Sequence, residues 1–198
     1  MVARPNHDSR HLAVLQDYYA EHRLIPSYSA ISRLLGFSAK NSAAALVSRL
    51  VEAGYLRRTP DNRLTPTPRF FERPRSLTAV RAGMPEVVID APADMVSLDS
   101  LLVHKPSITF FTPIKGDSMI DVGLMDGDTA ICERRHLTNV GNIVVALVTN
   151  EATIKTLIKE QGRYVLKPEN IAKDYPILRP DPLEIIAVVT GSFRSYRR

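Results

Sequence analysis

Ser27-Tyr28-Ser29-Ala30-Ile31-Ser32-Arg33-Leu34-Leu35-Gly36-Phe37-Ser38 decides the reading of the front half of this chain. Pro26 breaks what precedes it, Ser27 can cap a helix with its hydroxyl, and Ile31, Leu34 and Leu35 recur at helical spacing. The pattern predicts a short helix over Tyr28–Leu35, ended by a tight turn at Gly36-Phe37-Ser38. Upstream, Leu12, Leu15 and Tyr19 give one apolar face to a helix from Asp8 to His22. Downstream, Leu46, Val47, Leu50 and Val51 are the inner stripe of a third helix, from Lys40 to Ala53, which Gly54 stops. Tyr55-Leu56-Arg57-Arg58, a Thr59-Pro60-Asp61-Asn62 turn and Arg63-Leu64-Thr65 then read as strand, turn and strand, the size of a wing. Residues 1–65 are therefore expected to form a winged helix-turn-helix.

Such a pair of helices can place its second member in the major groove of DNA while the first braces it. With its apolar stripe inward, the third helix shows Lys40, Asn41, Ser42, Ala45, Ser48 and Arg49. Asparagine pairs bidentately with adenine, serine serves either base, and arginine or lysine reaches guanine or phosphate. Small alanines allow a close approach. Arg57, Arg58 and Arg63 on the wing suit phosphate contacts. Charge points the same way. Residues 1–82 carry 13 Lys/Arg against 6 Asp/Glu, a net +7, and residues 83–198 carry 13 against 15, a net −2, within an overall +5. A basic front half suits a polyanionic partner such as double-stranded DNA. The competing reading of the same residues is a plain three-helix bundle with a solvated polar face.

Behind this module the character changes twice. From Pro66 to Arg81, prolines 66, 68 and 74 sit among arginines 69, 73 and 75, a linker over 66–81 with little to build a core. After Gly83 short strands dominate: Ser107–Ile114, Thr129–Glu133, Ile143–Val148, Ala152–Ile158, Tyr164–Lys167 and Ile185–Thr190, separated by turns such as Asp126-Gly127-Asp128 and Gln161-Gly162. The fold class expected is α+β in two domains, the second, residues 82–198, mostly β.

Hydrophobic residues make up 44% of the 198, enough for a real core. No apolar run approaches the ~20 residues of a membrane span, and the start lacks a signal-peptide core. A cytoplasmic protein without membrane attachment is expected. The single cysteine, Cys132, permits no internal disulfide and reads as a core residue. His7 and His11 stand four apart without a third ligand nearby, so neither a metal nor a cofactor is expected.

Two segments carry chemistry. One is Lys115-Gly116-Asp117-Ser118-Met119-Ile120-Asp121, followed by Met125-Asp126-Gly127-Asp128; the other is Ala152-Thr153-Ile154-Lys155-Thr156-Leu157. With Leu166-Lys167-Pro168-Glu169-Asn170 behind them, they resemble the LexA/UmuD family of serine–lysine autopeptidases. Ile31–Phe37 and Gly54-Tyr55-Leu56 resemble the family's winged helix, and Leu101–Ile120 is closer to its UmuD branch. The resemblance implies a LexA/signal-peptidase-like catalytic domain with Ser118 as nucleophile and Lys155 as general base. It also implies a cleavage loop near residues 79–85, cut between Ala82 and Gly83. Arg81 departs from the small or apolar residue usual before that alanine. By the same resemblance the chain is a homodimeric SOS repressor of DNA-damage genes, associated with the bacterial nucleoid. A RecA–single-stranded DNA filament would stimulate its self-cleavage. The alternative is a UmuD-like accessory protein whose partners are components of an error-prone translesion polymerase. A signal peptidase shares the chemistry but needs a membrane segment.

The chemistry is coherent from the residues themselves. A serine hydroxyl is a poor nucleophile without a base, and a lysine is a base only when neutral. Burial favours the neutral amine, and alternation along Thr153–Leu157 sets Lys155 on the same face as Thr153 and Leu157, with no acid adjacent. Lys115-Gly116-Asp117 can form a turn that bares the Ser118 hydroxyl and leaves its N–H free for an oxyanion. Taken singly, Ser118 would be a turn residue and Lys155 a solvated charge.

Overall fold

The computed structural model describes residues 7–39, 41–76, 94–135 and 138–196. It mixes helix and sheet, and the chain divides into two compact units, Met1–Leu98 and Asp99–Arg198. Lys40, Ala82 and Gly83 lie outside the described residues.

The first unit holds three helices, α1 (Asp8–His22), α2 (Tyr28–Leu35) and α3 (Ser42–Glu52). The Ser27 hydroxyl accepts the Ala30 N–H and opens α2. Gly36 ends it in the left-handed region, φ +66°, where a side chain would be strained, and the Phe37 N–H reaches back to the Ser32 carbonyl. Leu12, Leu15, Ile31, Ala43, Leu46, Val47 and Leu50 bury one shared core. Strand β1 (Leu56–Arg58) pairs antiparallel with β2 (Leu64–Pro66), and Leu56 joins the core. Helix α3 starts at Ser42, two residues later than its apolar pattern suggested, and its first turn lacks a side-chain cap.

The segment after Pro66 departs from the expected linker. Pro68–Phe71 forms one 3-10 turn that drops Phe70 into the same core, edge-on to Tyr19 with ring centres 5.6 Å apart. Gln16 Nε2 donates to the Phe70 carbonyl at 2.6 Å, and Arg69 Nη1 donates to the Ala53 carbonyl at 2.7 Å, closing the end of α3. Prolines kept this stretch out of an α-helix, but they did not keep Phe70 out of the core, while its neighbour Phe71 stays exposed. Strand β3 (Arg73–Arg75) then pairs with β4 (Asp94–Val96). The two ends of the segment that carries Ala82 and Gly83 therefore lie side by side.

The second unit is mostly β. Strands β5 (Thr109–Pro113), β6 (Thr129–Arg134), β7 (Ile143–Val148), β8 (Glu151–Glu160), β9 (Arg163–Lys167) and β10 (Glu184–Phe193) form one antiparallel sheet, in the order β5-β6-β10-β7-β8-β9. Register shifts between Ile185 and Ala187 and between Val189 and Gly191 bend β10. Alternate residues feed two buried clusters, one around Ile114, Met119, Cys132 and Val145, the other around Val144, Leu157, Leu166 and Val188. Cys132 is fully buried, and desolvation pushes its thiol up to about 11, as a core residue should behave.

Candidate active site

Lys155 sits in the middle of β8, paired across the ladder with Val144 of β7. The rigid ladder fixes its backbone, and the side chain is only 8% exposed. Its Nζ lies 2.9 Å from Ser118 Oγ, 3.1 Å from Thr153 Oγ1 and 2.9 Å from the Ile154 carbonyl. Among the described residues no carboxylate pairs with it. Desolvation therefore acts unopposed and lowers the Lys155 pKa below the ordinary lysine value.

Ser118 arrives from the loop that follows β5, and that loop is held at many points. Ile114 and the 126–128 turn exchange backbone bonds, Ile114 N–H to the Asp128 carbonyl at 2.8 Å and Gly127 N–H to the Ile114 carbonyl at 3.0 Å. Gly116 takes φ +90°, and its N–H donates to Asp126 Oδ1 at 2.6 Å. The Asp126-Gly127-Asp128 turn is itself anchored. Asp128, 2% exposed, accepts the Met125 N–H and a two-pronged bond from Arg194, at 2.5 and 2.8 Å, and these hold its carboxyl near pKa 2. On the other side the Glu169 N–H donates to the Ser118 carbonyl at 2.8 Å, and Asn170 Nδ2 donates to the Asp117 carbonyl at 2.9 Å. Met119 is buried below. Among the described residues nothing accepts the Ser118 backbone N–H, so it is available to an incoming oxygen.

Ser118 and Lys155 open onto a cleft of about 240 Å³, walled by Pro113, Met119, Val145 and Ile154. Thr112, Lys115 and Thr153 line it as well, and its small volume suits an extended peptide with small side chains. A larger open groove of about 1120 Å³, beside the Glu160–Arg179 ion pair, contains neither Ser118 nor Lys155 and lacks a nucleophile–base pair.

The sequence reading placed Ser118, Lys155 and Thr153 together, and the structure brings them within bonding distance. It did not find Asp117, Lys173 and Tyr175, which form a cluster beside the serine. The first two of the expected DNA-facing residues within the described region, Asn41 and Ser42, are exposed and half-buried respectively, and Ala44, Ala45 and Ser48 are exposed. Arg49 is exposed but not free. Its guanidinium forks onto both oxygens of Asp8, a pairing that apolar periodicity could not show. Arg57 and Arg58 are exposed on the β1–β2 ribbon, where Arg57 Nε donates to Thr65 Oγ1 and Arg58 Nη1 donates to Asn62 Oδ1.

Comparison with known proteins bears on this arrangement. The Peptidase S24-like family matches residues 75–190, which include both Ser118 and Lys155. The chain is 33% identical over 180 residues to a LexA repressor of Clostridium novyi, covering 86% of this chain and 87% of that protein. It is 33% identical over 183 residues to a LexA repressor of Clostridium acetobutylicum, covering 86% of each. A LexA repressor of Bacillus cytotoxicus is 31% identical over 180 residues, covering 85% of this chain and 86% of its own.

Proposed function

Because the chain belongs to the Peptidase S24-like family and is a relative of LexA repressors over most of its length, we propose that it is a LexA-type SOS repressor that inactivates itself by cutting its Ala82-Gly83 bond. The observation that carries the proposal is the 2.9 Å approach of Lys155 Nζ to Ser118 Oγ in a buried setting that favours the neutral amine.

A neutral amine has two N–H donors and one lone pair. Thr153 Oγ1 and the Ile154 carbonyl can take the donors, which turns the lone pair toward Ser118. The serine O–H then donates to Nζ. As Oγ attacks the Ala82 carbonyl carbon, its proton passes to Lys155, and the developing oxyanion can accept from the Ser118 N–H. Collapse breaks the carbon–nitrogen bond, and the Lys155 ammonium returns the proton to the departing Gly83 amine. Water, activated by Lys155, hydrolyses the Ala82 ester on Ser118. Tethering makes the reaction intramolecular and removes any need for substrate recruitment.

The first unit supplies the DNA partner. Three helices followed by a two-stranded ribbon suit a winged helix-turn-helix, with Lys40, Asn41, Ser42 and Ala45 toward base edges and Arg57 and Arg58 toward phosphates. Dimerisation through the second unit would join two such readers, and cutting at Ala82-Gly83 would part them, with loss of effective concentration on the operator. A RecA–single-stranded DNA filament would favour the cleavage-ready state. The relatives' alignments span at least part of the first unit as well as the second, and this favours a repressor over a polymerase accessory protein.

The test is direct. Pure protein is incubated at alkaline pH, and separately at neutral pH with RecA, single-stranded DNA and a nucleotide, and the fragments are weighed. Ser118→Ala and Lys155→Ala should each abolish cleavage while operator binding survives. Normal cutting by either variant would refute the dyad.

A further inference from the structure

Lys155 belongs to a sheet ladder, whereas Ser118 belongs to a loop. The distance between them is therefore set by whatever holds the loop. Residues 169–175 run along residues 117–121 and grip them in succession. Besides the bonds from Glu169 and Asn170, the Asp121 N–H donates to the Glu169 carbonyl at 2.9 Å, and the Ile171 N–H donates to Asp121 Oδ2 at 2.6 Å. The remaining grip falls on the residue directly before the nucleophile. Lys173 Nζ donates to Asp117 Oδ2 at 2.5 Å, and the Tyr175 hydroxyl donates to Asp117 Oδ1 at 2.5 Å.

The Asp117 grip differs from the others. Backbone bonds and Asn170 hold the chain at single points, but a carboxylate bonded at both oxygens by different partners cannot rotate about its own axis. With the Asp117 carbonyl also held by Asn170, both side chain and backbone of the preceding residue are fixed. Only Ser118 χ1 is then left to aim Oγ. Lys173 also neutralises the charge that Asp117 would otherwise leave beside the nucleophile. Both pair members gain from the ionised state: Asp117 lies below the usual carboxylate range because Lys173 and Tyr175 donate to it, and Lys173 lies above the usual lysine range because Asp117 accepts from it.

Resting on the serine–lysine reading above, we propose that Asp117, Lys173 and Tyr175 form a positioning clamp that sets the alignment of Ser118 with Lys155. They act through Ser118, and the clamp's two donors come from a segment more than fifty residues downstream of the nucleophile.

The experiment uses the full chain and two readouts. One is the first-order rate of self-cleavage at alkaline pH; the other is the rate at which a fluorophosphonate probe labels Ser118. The probe reports on serine activation whether or not the cleavage loop is engaged. Lys173→Met and Tyr175→Phe should each lower both rates by roughly 10-fold and their combination by roughly 100-fold, as expected for a reacting atom displaced by a fraction of an ångström to about 1 Å. The thermal midpoint should be unchanged. Lys173→Arg keeps a charged donor and should restore both rates to within about 2-fold of the parent, a rescue that a filler role would not give. Asp117→Asn, which preserves shape, serves as a second variant should Tyr175→Phe fold poorly, and should lower both rates. Parent-like rates in Lys173→Met and Tyr175→Phe would overturn the clamp. So would cleavage that falls while labelling does not, since that places the effect on the substrate loop. Loss of labelling in Lys155→Ala separately tests the dyad itself, so failure of the clamp and failure of the underlying reading give different results.

Discussion

Asp8 at the start of α1 and Arg49 in α3 are joined by two parallel bonds, Nε to Oδ2 at 2.7 Å and Nη2 to Oδ1 at 2.8 Å. The fork ties the first helix to the third and occupies the only arginine of α3. It also lowers the Asp8 pKa, because the carboxylate accepts from the guanidinium. The pair's contribution to stability is therefore present above the ordinary carboxylate pKa and is lost as pH falls through the lower folded value.

Asp8→Asn should release Arg49. Since the arginine is half exposed, the stability cost should stay below about 1 kcal/mol. If the freed guanidinium then reaches a phosphate, DNA affinity at low salt should rise, and the log–log salt slope should steepen by roughly 0.9. The check is operator binding from low to moderate salt. An unchanged slope would mean that Arg49 is a strap between helices and nothing more.

Asp128 and Arg194 pose a different case, since Asp128 is buried and its turn supports the loop that carries Ser118. Arg194, with help from the Met125 N–H, holds Asp128 near pKa 2. The stabilisation is full above the unfolded carboxylate pKa and disappears only as pH falls through about 2. Arg194→Ala should raise the Asp128 pKa, move acid unfolding to higher pH, and slow self-cleavage at every pH. Acid titration by circular dichroism measures the first effect. A variant with the parent's acid midpoint would show that the pair contributes nothing net.

How much of this was legible beforehand depends on whether the signal was local. The helices of the first unit and most strands of the second follow from apolar spacing and turn residues, and Ser118 and Lys155 stood out because each lies in a short motif. Phe70 was missed because no periodic apolar pattern surrounds it among the prolines, and it joins a core whose other members, with the Tyr19 ring it meets, lie far back in the chain. The β3–β4 pair was missed because Arg73-Pro74-Arg75 carries no strand pattern and becomes one only against Asp94-Met95-Val96. The fork of Arg49 on Asp8 and the clamp on Asp117 join residues 41, 56 and 58 positions apart, and no spacing rule reaches across such distances.

Gly83→Glu should block self-cleavage without disturbing Ser118 or Lys155. A cleft of about 240 Å³ that suits small side chains has no room for the longer glutamate side chain at the scissile position. The fluorophosphonate probe should still label Ser118 at the parent rate. Mass spectrometry of the parent's products checks the site itself. The N-terminal fragment should end at Ala82, and an end elsewhere would displace the scissile bond.

Lys155 supplies the last prediction, and it couples stability to chemistry. Burial lowers its pKa, so in the window between the folded value and the unfolded value near ~10.4 the unfolded chain binds the extra proton. Stability should therefore rise with pH across that window from this residue alone. Below the window the cost of holding a buried ammonium is felt in full. Lys155→Met removes that cost and keeps the volume, so it should raise the thermal midpoint at neutral pH while abolishing cleavage. Each kcal/mol recovered is worth about 4–8 °C in a unit of this size. In the parent, the rate of self-cleavage without RecA should climb with pH and level off where Lys155 has lost its proton, at a pH below that of a free lysine. The measurement is the first-order rate from pH 6 to 11, with the fold checked at each point, set beside the melting temperatures of parent and variant. A flat rate profile in folded protein would remove lysine as the titrating base. A destabilised Lys155→Met would show that the three bonds made by Nζ outweigh its desolvation.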